Sequence, residues 1–247
     1  MLNPLLAHGW ASSSERLAIA AALTVGFAAL GHAVRGVNRS GALAGALVCF
    51  LLLAAAGPAA FVALVALFAL TWLSTRMGYR RKLARGLAER REGRSAGQVI
   101  ANLAVPALAS VAFSATGNPA FLVAAVAALT EAATDTVASE IGQTLQANSR
   151  LITTWATVPA GTDGGITIPG SIAGLAAGLI ITLVATASEL VPPARLWIPV
   201  TTGFAGMLFD SLLGATLQRR RWIDNPTVNL LSTLAAAALA YAASTWA

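Results

Sequence analysis

The sequence predicts an all-α integral membrane protein, a bundle of about eight transmembrane helices in a single domain spanning residues 1–247. Three observations carry this. Of 247 residues, 57% are hydrophobic and 11% charged, whereas a soluble domain carries about a quarter charged. Apolar runs recur at the roughly 17 to 25 residues that a helix needs to cross a bilayer. The runs do not alternate polar with apolar, as barrel strands must, and backbone in lipid has to satisfy its own hydrogen bonds. The formal net charge of +6 then reads as topology. A nucleic-acid partner is not expected, because no basic soluble domain with interleaved aromatics is present.

The spans follow from where the apolar runs break. The first covers about Leu17 to Val34 and ends at Arg35, Asn38 and Arg39. The second, about Gly41 to Ala56, turns at Gly57-Pro58 in a tight hairpin into the third, about Ala59 to Thr75. The polar loop Arg76 to Arg94 carries eight basic residues against Glu89 and Glu92. A fourth span, about Val99 to Ala115, turns at Gly117-Asn118-Pro119 into a fifth, Ala120 to about Val137, with Gly142 expected to end that helix. Ala138 to Pro169 is too polar and too rich in Gly and Thr to cross. A sixth span covers about Gly170 to Ala187 and a seventh about Trp197 to Leu217, stopped by Arg219 to Arg221. The eighth runs from about Thr227 to Ala243.

Eight spans place fourteen of the sixteen Lys and Arg residues on one side. The positive-inside rule makes that side cytoplasmic and puts both termini outside, in a cell membrane. The two exceptions, Arg16 and Arg195, each lie close to an acid, Glu15 and Glu189. Met1 to Arg16 has no basic n-region and no clear cleavage site, so no removable signal is expected. Most of the Arg76 to Arg94 loop is read as topology and contact with lipid headgroups.

Glycines four apart, Gly41 with Gly45 and Gly170 with Gly174 and Gly178, predict seams where helix backbones approach closely. Cys49, mid-span, reads as packing. His8 and His32 have no partner at ligand spacing, so a zinc site is not expected. No Gly-x-Ser-x-Gly elbow is present.

Acids inside spans are costly and mark function by default. Glu131 and Asp135 lie four apart, on one face of the fifth span, and Thr134, Ser139 and Glu140 extend its polar surface. Asp210 with Ser211 lies in the second half of the seventh. The run Val158 to Thr167 contains Gly161, Thr162, Asp163, Gly164 and Gly165, a spacing that lets backbone N–H groups converge on an anion. The following helix N-terminus adds a favourable dipole. The run is not a P-loop, since Gly-Lys-Ser/Thr is absent. Carboxylates with oxygen-rich neighbours suit Mg²⁺, while Arg94, Arg150 and Arg219 to Arg221 suit phosphoryl oxygens. Asn102, Asn225 and Asn229 add neutral donors. These are the parts of phosphoryl transfer.

Five strings in order resemble the integral membrane family of the plant phytyl-phosphate kinases. They are Gly93 to Val99 with Asn102, Asp135 to Gly142, Val158 to Thr167, Asp210 to Ala215, and Asp224 to Asn229. Thr134 stands where that family usually has glycine, Val137 where it has an aromatic, and Pro226 where it has an acid. The resemblance implies transfer of a phosphoryl group from a nucleoside triphosphate, CTP expected, onto an isoprenoid monophosphate such as phytyl or geranylgeranyl phosphate. It implies Asp135, Asp210, Asp163 and Glu140 as catalytic carboxylates, with Asp135, Asp210 and Asp163 around Mg²⁺; the intramembrane acid Glu131, outside the five strings, is expected in the same metal set. Arg94, Ser139, Gly161, Thr162, Gly164, Gly165, Thr167, Ser211, Asn102, Asn225 and Asn229 are expected to bind substrate and phosphate. The isoprenoid tail is expected between helices, reached from the lipid. The alternatives are an ion-coupled transporter with Glu131, Asp135 and Asp210 as ion ligands, and a related CTP-dependent lipid phospho- or cytidylyltransferase.

Overall fold

The computed structural model describes residues 14–146 and 148–246. The expectations for the N-terminal stretch and for His8 fall on Met1 to Ser13, which lie outside the described residues, as do the side chains of Glu15 and Arg16. The helices are α1 (Ser14–Ala33), α2 (Arg39–Arg76), the short α3 (Tyr79–Ala84), α4 (Ala96–Thr116), α5 (Ala120–Leu145), α6 (Ile168–Ala187), α7 (Trp197–Leu213) and α8 (Asn225–Trp246). A π-helical turn, Gly214–Gln218, extends α7. This is an all-α polytopic membrane protein. Among the described residues six helices are long and apolar enough to cross a membrane, and Leu17–Ala33 is a shorter apolar helix.

Helix α2 counts once among those six, yet it doubles back. Its 38 residues would reach about 57 Å if straight. Instead Arg76 Nη2 donates to Val34 O at 2.5 Å and Trp72 Nε1 to the same oxygen at 3.1 Å, five residues before the helix starts. The reversal is at Gly57, whose φ of 78° and ψ of −171° leave the helical region. Only glycine takes that conformation without cost. The expected hairpin at Gly57-Pro58 is therefore present. Asn38 caps the first limb by accepting the Gly41 N–H at 2.9 Å.

Helix α5 is the hub, touching α2, α4, α6, α7 and α8. Its alanines and threonines let those neighbours come close. A side chain at Gly174 would press to 2.9 Å from Ala138 Cβ, and one at Gly203 to 2.6 Å from Thr130 Cγ2. Across the α5–α6 seam, the Thr130 and Thr182 hydroxyls share a hydrogen bond of 3.1 Å. The expected Gly170-Gly174-Gly178 seam is thus found. The Gly41-Gly45 seam is not: Gly41 packs on the Arg94 backbone, but nothing lies within 4 Å of a Cβ at Gly45. Equal spacing gives equal geometry along the helix, and the partner decides whether it becomes a contact. Cys49 is buried and accepts from Thr24 Oγ1 at 3.5 Å, consistent with packing.

The polar connections gather at one end of the bundle. Asn38 N donates to Arg94 O at 3.0 Å and Arg94 N to Gly36 O at 3.1 Å. Arg85 Nη1 reaches Gln143 O and Gln146 O at 3.0 and 3.1 Å, and Gln218 Nε2 reaches Asp163 Oδ1 at 3.0 Å. One sequence expectation is overturned at this end. Gly142 does not end α5, which continues to Leu145; the missing Cβ instead makes room for Thr167 Oγ1, 2.7 Å from where it would stand. The polar connection after α5 is folded. It holds a three-stranded antiparallel sheet in the order β2-β1-β3, from Thr157–Pro159, Asn148–Leu151 and Gly165–Ile166. Strands this short and polar leave no period-2 signal to read.

The difference between the two small-residue pairs is measurable. Gly174→Val should lower stability by about 1–3 kcal/mol, the usual cost of overpacking, whereas Gly45→Ala should not lower it. Unfolding midpoints in detergent check both; equal loss in the two variants would contradict the packing described.

Candidate active site

Three elements converge on one polar cavity of about 150 Å³. Helix α5 contributes Asp135 and Ser139, one turn apart, and α7 contributes Asp210 and Ser211. The Gly161 to Thr167 loop forms the facing wall, with Asn225 at the start of α8. The loop reaches α7 because Gly164, at φ +74°, lies flat against the π-helical turn: a Cβ there would stand 2.6 Å from Ala215 Cα. Gly214 answers from the other side, with its would-be Cβ 2.8 Å from Gly164 N. Two glycines in backbone contact are what bring the loop alongside Asp210.

The loop has free donors. Thr162 N and Gly165 N are taken by Pro159 O and Thr162 O at 3.2 and 2.9 Å. The amides of Gly161, Asp163 and Gly164 have no acceptor among the described residues. Successive unpartnered N–H groups in a glycine turn make an anion-binding concavity. Thr167 lines the cavity too, but its hydroxyl caps α6, accepting the Gly170 N–H at 3.1 Å.

Asp210 is anchored from α8. Ser232 Oγ donates to its Oδ2 at 3.3 Å. With its nitrogen turned to Asp210 Oδ2 at 3.3 Å and Asn225 O at 3.2 Å, the Asn229 amide oxygen accepts from Asn102 Nδ2 at 3.1 Å. That orientation satisfies both ends of the Asn229 amide. One turn deeper on α5 than Asp135, Glu131 is buried with neither carboxyl oxygen hydrogen-bonded among the described residues. A carboxyl held so at membrane depth is expensive. Among the described residues, no three His, Cys, Asp or Glu side chains converge to hold a metal ion by themselves.

Outside the membrane spans, burial raises the Asp163 carboxyl above the ordinary aspartate value, and the Arg219 charge pulls it part of the way back. Asp224 is lowered, chiefly by the Thr227 hydroxyl at 2.6 Å and then by the Thr227 amide at 3.0 Å. It caps the entry to α8, next to Asn225.

Several expected residues lie elsewhere. Glu140 does not line the cavity; about a third of a turn round α5 from Ser139, it pairs with Lys82. Lys82, fully buried, also donates to Ser74 O at 3.2 Å and Thr75 O at 2.8 Å, closing the carbonyl end of α2. This ammonium was invisible among the arginines around it, although as the chain's single lysine it is the side chain best suited to cap several carbonyls at once. Arg150 spends its guanidinium on Trp155 O at 3.1 Å. Arg94 and Asn102 do not line the polar cavity. They border a neighbouring groove, from which Arg94 Nη2 reaches Thr136 Oγ1 at 3.5 Å. Gln143, Ser149 and Gln218 line the cavity unanticipated.

The family model for the integral membrane protein DUF92 matches residues 22–237. The chain belongs to that family. It is 33% identical over 192 residues to an uncharacterized membrane protein of Synechocystis, covering 76% of this chain and 74% of that one. An uncharacterized membrane protein of Methanocaldococcus jannaschii is 32% identical over 81% of this chain and 82% of its own length. The chloroplastic protein VTE6 of Arabidopsis thaliana is 30% identical over 81% of this chain, which spans 62% of VTE6. No solved structure matches the chain. The DUF92 match contains every cavity residue named above.

Two predictions concern what frames the cavity. Removing Lys82 alone (Lys82→Met) should cost about 3–5 kcal/mol, because it strands a largely buried carboxylate. Lys82→Met with Glu140→Gln should cost clearly less than the sum of the single changes, and a double-mutant cycle on unfolding in detergent measures this. Strict additivity would remove Glu140 from its bracing role. The Asp224 carboxyl is lowered on folding, so its stabilisation is present above the ordinary aspartate value and lost as pH falls below it. The gap in unfolding midpoint between wild type and Asp224→Ala should therefore close on acidification; a gap that widens would contradict the cap.

Proposed function

We propose that this chain is a membrane-embedded prenyl-phosphate kinase, transferring the terminal phosphoryl group of a nucleoside triphosphate to an isoprenoid monophosphate. The observation that carries the reading is the convergence of Asp135, Asp210 and the free amides of the Gly161 to Gly165 loop on one small polar cavity. At about 150 Å³ the cavity suits the phosphate end of a nucleotide, with the nucleoside at its mouth. CTP is the expected donor, on the family resemblance of the five motifs. Homology to VTE6 supports a prenyl-phosphate-related function, and the resemblance of the five motifs favours the kinase over the carrier alternative.

The donor set fits Mg²⁺. Asp135 and Asp210 offer hard oxygen ligands from two helices, and Asp163 stands at the loop edge. Mg²⁺ usually takes one or two carboxylates and completes its shell with water and phosphate oxygens, so the lack of a third converging acid suits it. When bound, the ion neutralises charge on the transferring phosphates.

The chain's own residues do the rest. Amides of Gly161, Asp163 and Gly164 cradle phosphate oxygens, and the Ser139 and Ser211 hydroxyls and Asn225 orient them, while the Thr162 hydroxyl holds the loop by donating to Pro159 O at 2.7 Å. An oxygen of the acceptor monophosphate attacks the γ-phosphorus. The bond from that phosphorus to the β,γ-bridging oxygen breaks, and the nucleoside diphosphate leaves. No base is required, because a phosphate monoester is largely ionised near neutral pH. Glu140 is assigned to bracing the site through Lys82, not to the chemistry. With fourteen cations on the loops that gather at the polar end, the positive-inside rule places the site at the cytoplasmic face of the cell membrane, with eight crossings and both termini outside.

Purified protein in detergent with Mg²⁺, geranylgeranyl or phytyl monophosphate and each nucleoside triphosphate in turn should yield the prenyl diphosphate by mass spectrometry. Asp135→Asn and Asp210→Asn should each lower kcat/KM by on the order of 10²–10³ in a folded protein. Full turnover in either variant removes that residue from the site. No diphosphate from any pairing defeats the kinase reading.

A further inference from the structure

Beside the polar cavity lies a larger void that the proposed chemistry has not yet used. It holds about 420 Å³ and runs between α1, both limbs of α2 and α4, ending on Ala132 of α5. Its walls are apolar, with Phe27, Leu64, Phe68 and Trp72 prominent, and Gly45 opens directly onto it. From Arg76 to Leu64 along α2 it extends about 18 Å, long enough for several isoprene units. Its volume falls in the range of ligand pockets.

The mouth is cationic. Arg35, Arg76, Arg90, Arg91 and Arg94 border it, with Glu89 the one acid among its lining residues. Glu89 is already engaged, accepting from Gln98 Nε2 at 3.0 Å and Arg90 N at 2.9 Å. Among the described residues none of the five guanidiniums has a carboxylate partner; Lys82–Glu140 is the only ion pair. Arg76 is committed to Val34 O and the Trp72 ring; the other four, around the entrance to an apolar groove, match an anionic head on a greasy tail.

The mouth also adjoins the polar cavity. Arg94 reaches Thr136, the residue after Asp135. Asn102, on the groove wall, meets Asn229, which faces Asp210. An anion held at the mouth therefore stands next to the carboxylates.

We propose that this groove is the acceptor site, taking a single-chain isoprenoid monophosphate with its tail between α1, α2 and α4 and its phosphate under the arginines. The assignment rests on the kinase reading above, and it names residues for a substrate whose place the motifs left open. At about 420 Å³ the groove has the volume for one isoprenoid chain, whereas a diacyl phospholipid needs room for two.

Binding of tritiated geranylgeranyl monophosphate to purified protein in detergent tests this apart from turnover. Gly45→Phe places a ring in the groove where a Cβ meets nothing within 4 Å, so the protein should keep its unfolding midpoint. It should bind the twenty-carbon phosphate at least about tenfold more weakly than wild type, with a smaller loss for a five-carbon monophosphate. Arg90→Gln with Arg91→Gln should weaken both ligands alike. If wild type binds and Gly45→Phe binds equally, the groove is not the tail site and the kinase reading survives. If phosphatidate displaces the ligand as well as unlabelled geranylgeranyl phosphate does, the single-chain assignment fails. If wild type binds no prenyl monophosphate at all, both readings fall.

Discussion

How closely its neighbours approach helix α5 is the constraint on which the rest of the molecule depends. In lipid, an apolar side chain gains little by leaving acyl chains for another helix, so packing must come from close backbone approach and interhelical hydrogen bonds. Glycines on α6 and α7 supply the approach, against Thr130, Thr134 and Ala138 of α5. The Thr130–Thr182 hydrogen bond supplies a polar tie. Bulkier residues along these seams would lift α7 away from α5 and separate Asp210 from Asp135. The carboxylates meet because the residues between them are small.

The register of α5 then divides the work around its circumference. At 100° per residue, Asp135 and Ser139 face the loop cavity while Thr136 turns toward Arg94. Ala132 closes the end of the groove, and Glu140 meets Lys82. One helix thus forms a wall of each compartment and is braced on its third side by a buried ion pair. Such a pair contributes little as net stability but is costly to break singly, which suits a part whose task is to fix orientation.

Much of this could be read from the chain alone, and the failures have physical causes. Asp135 and Asp210 were legible because acids within apolar runs are rare, and the Gly161 to Gly165 loop because its glycines serve no helix. The hairpin at Gly57-Pro58 was legible because a helix does not pass such a pair unbent. Glu140 was misleading: it belongs to the same motif as Asp135, yet five positions along a helix turn it to another face. Its partner Lys82 lies 58 residues away, and no local pattern reports so distant a pair. Gly45 misled in the opposite way, sharing its spacing with Gly41 but lacking a neighbour.

The separation of arginine from carboxylate follows the same electrostatic logic. Two phosphorylated substrates repel each other, and carboxylates repel both. A site with only acids needs a metal for every phosphate, while a site with only arginines has no hold on the metal. In the proposed arrangement acids and amides serve the donor, arginines serve the acceptor, and each set lies in its own compartment. Among the described residues the two compartments meet where Arg94 reaches Thr136 and Asn102 reaches Asn229. At that boundary opposite charges lie close enough to bring the reacting oxygens together without being spent on each other. The absence of ion pairs between the arginines at the mouth and the acids on α5 and α7, among the described residues, is what such a division requires.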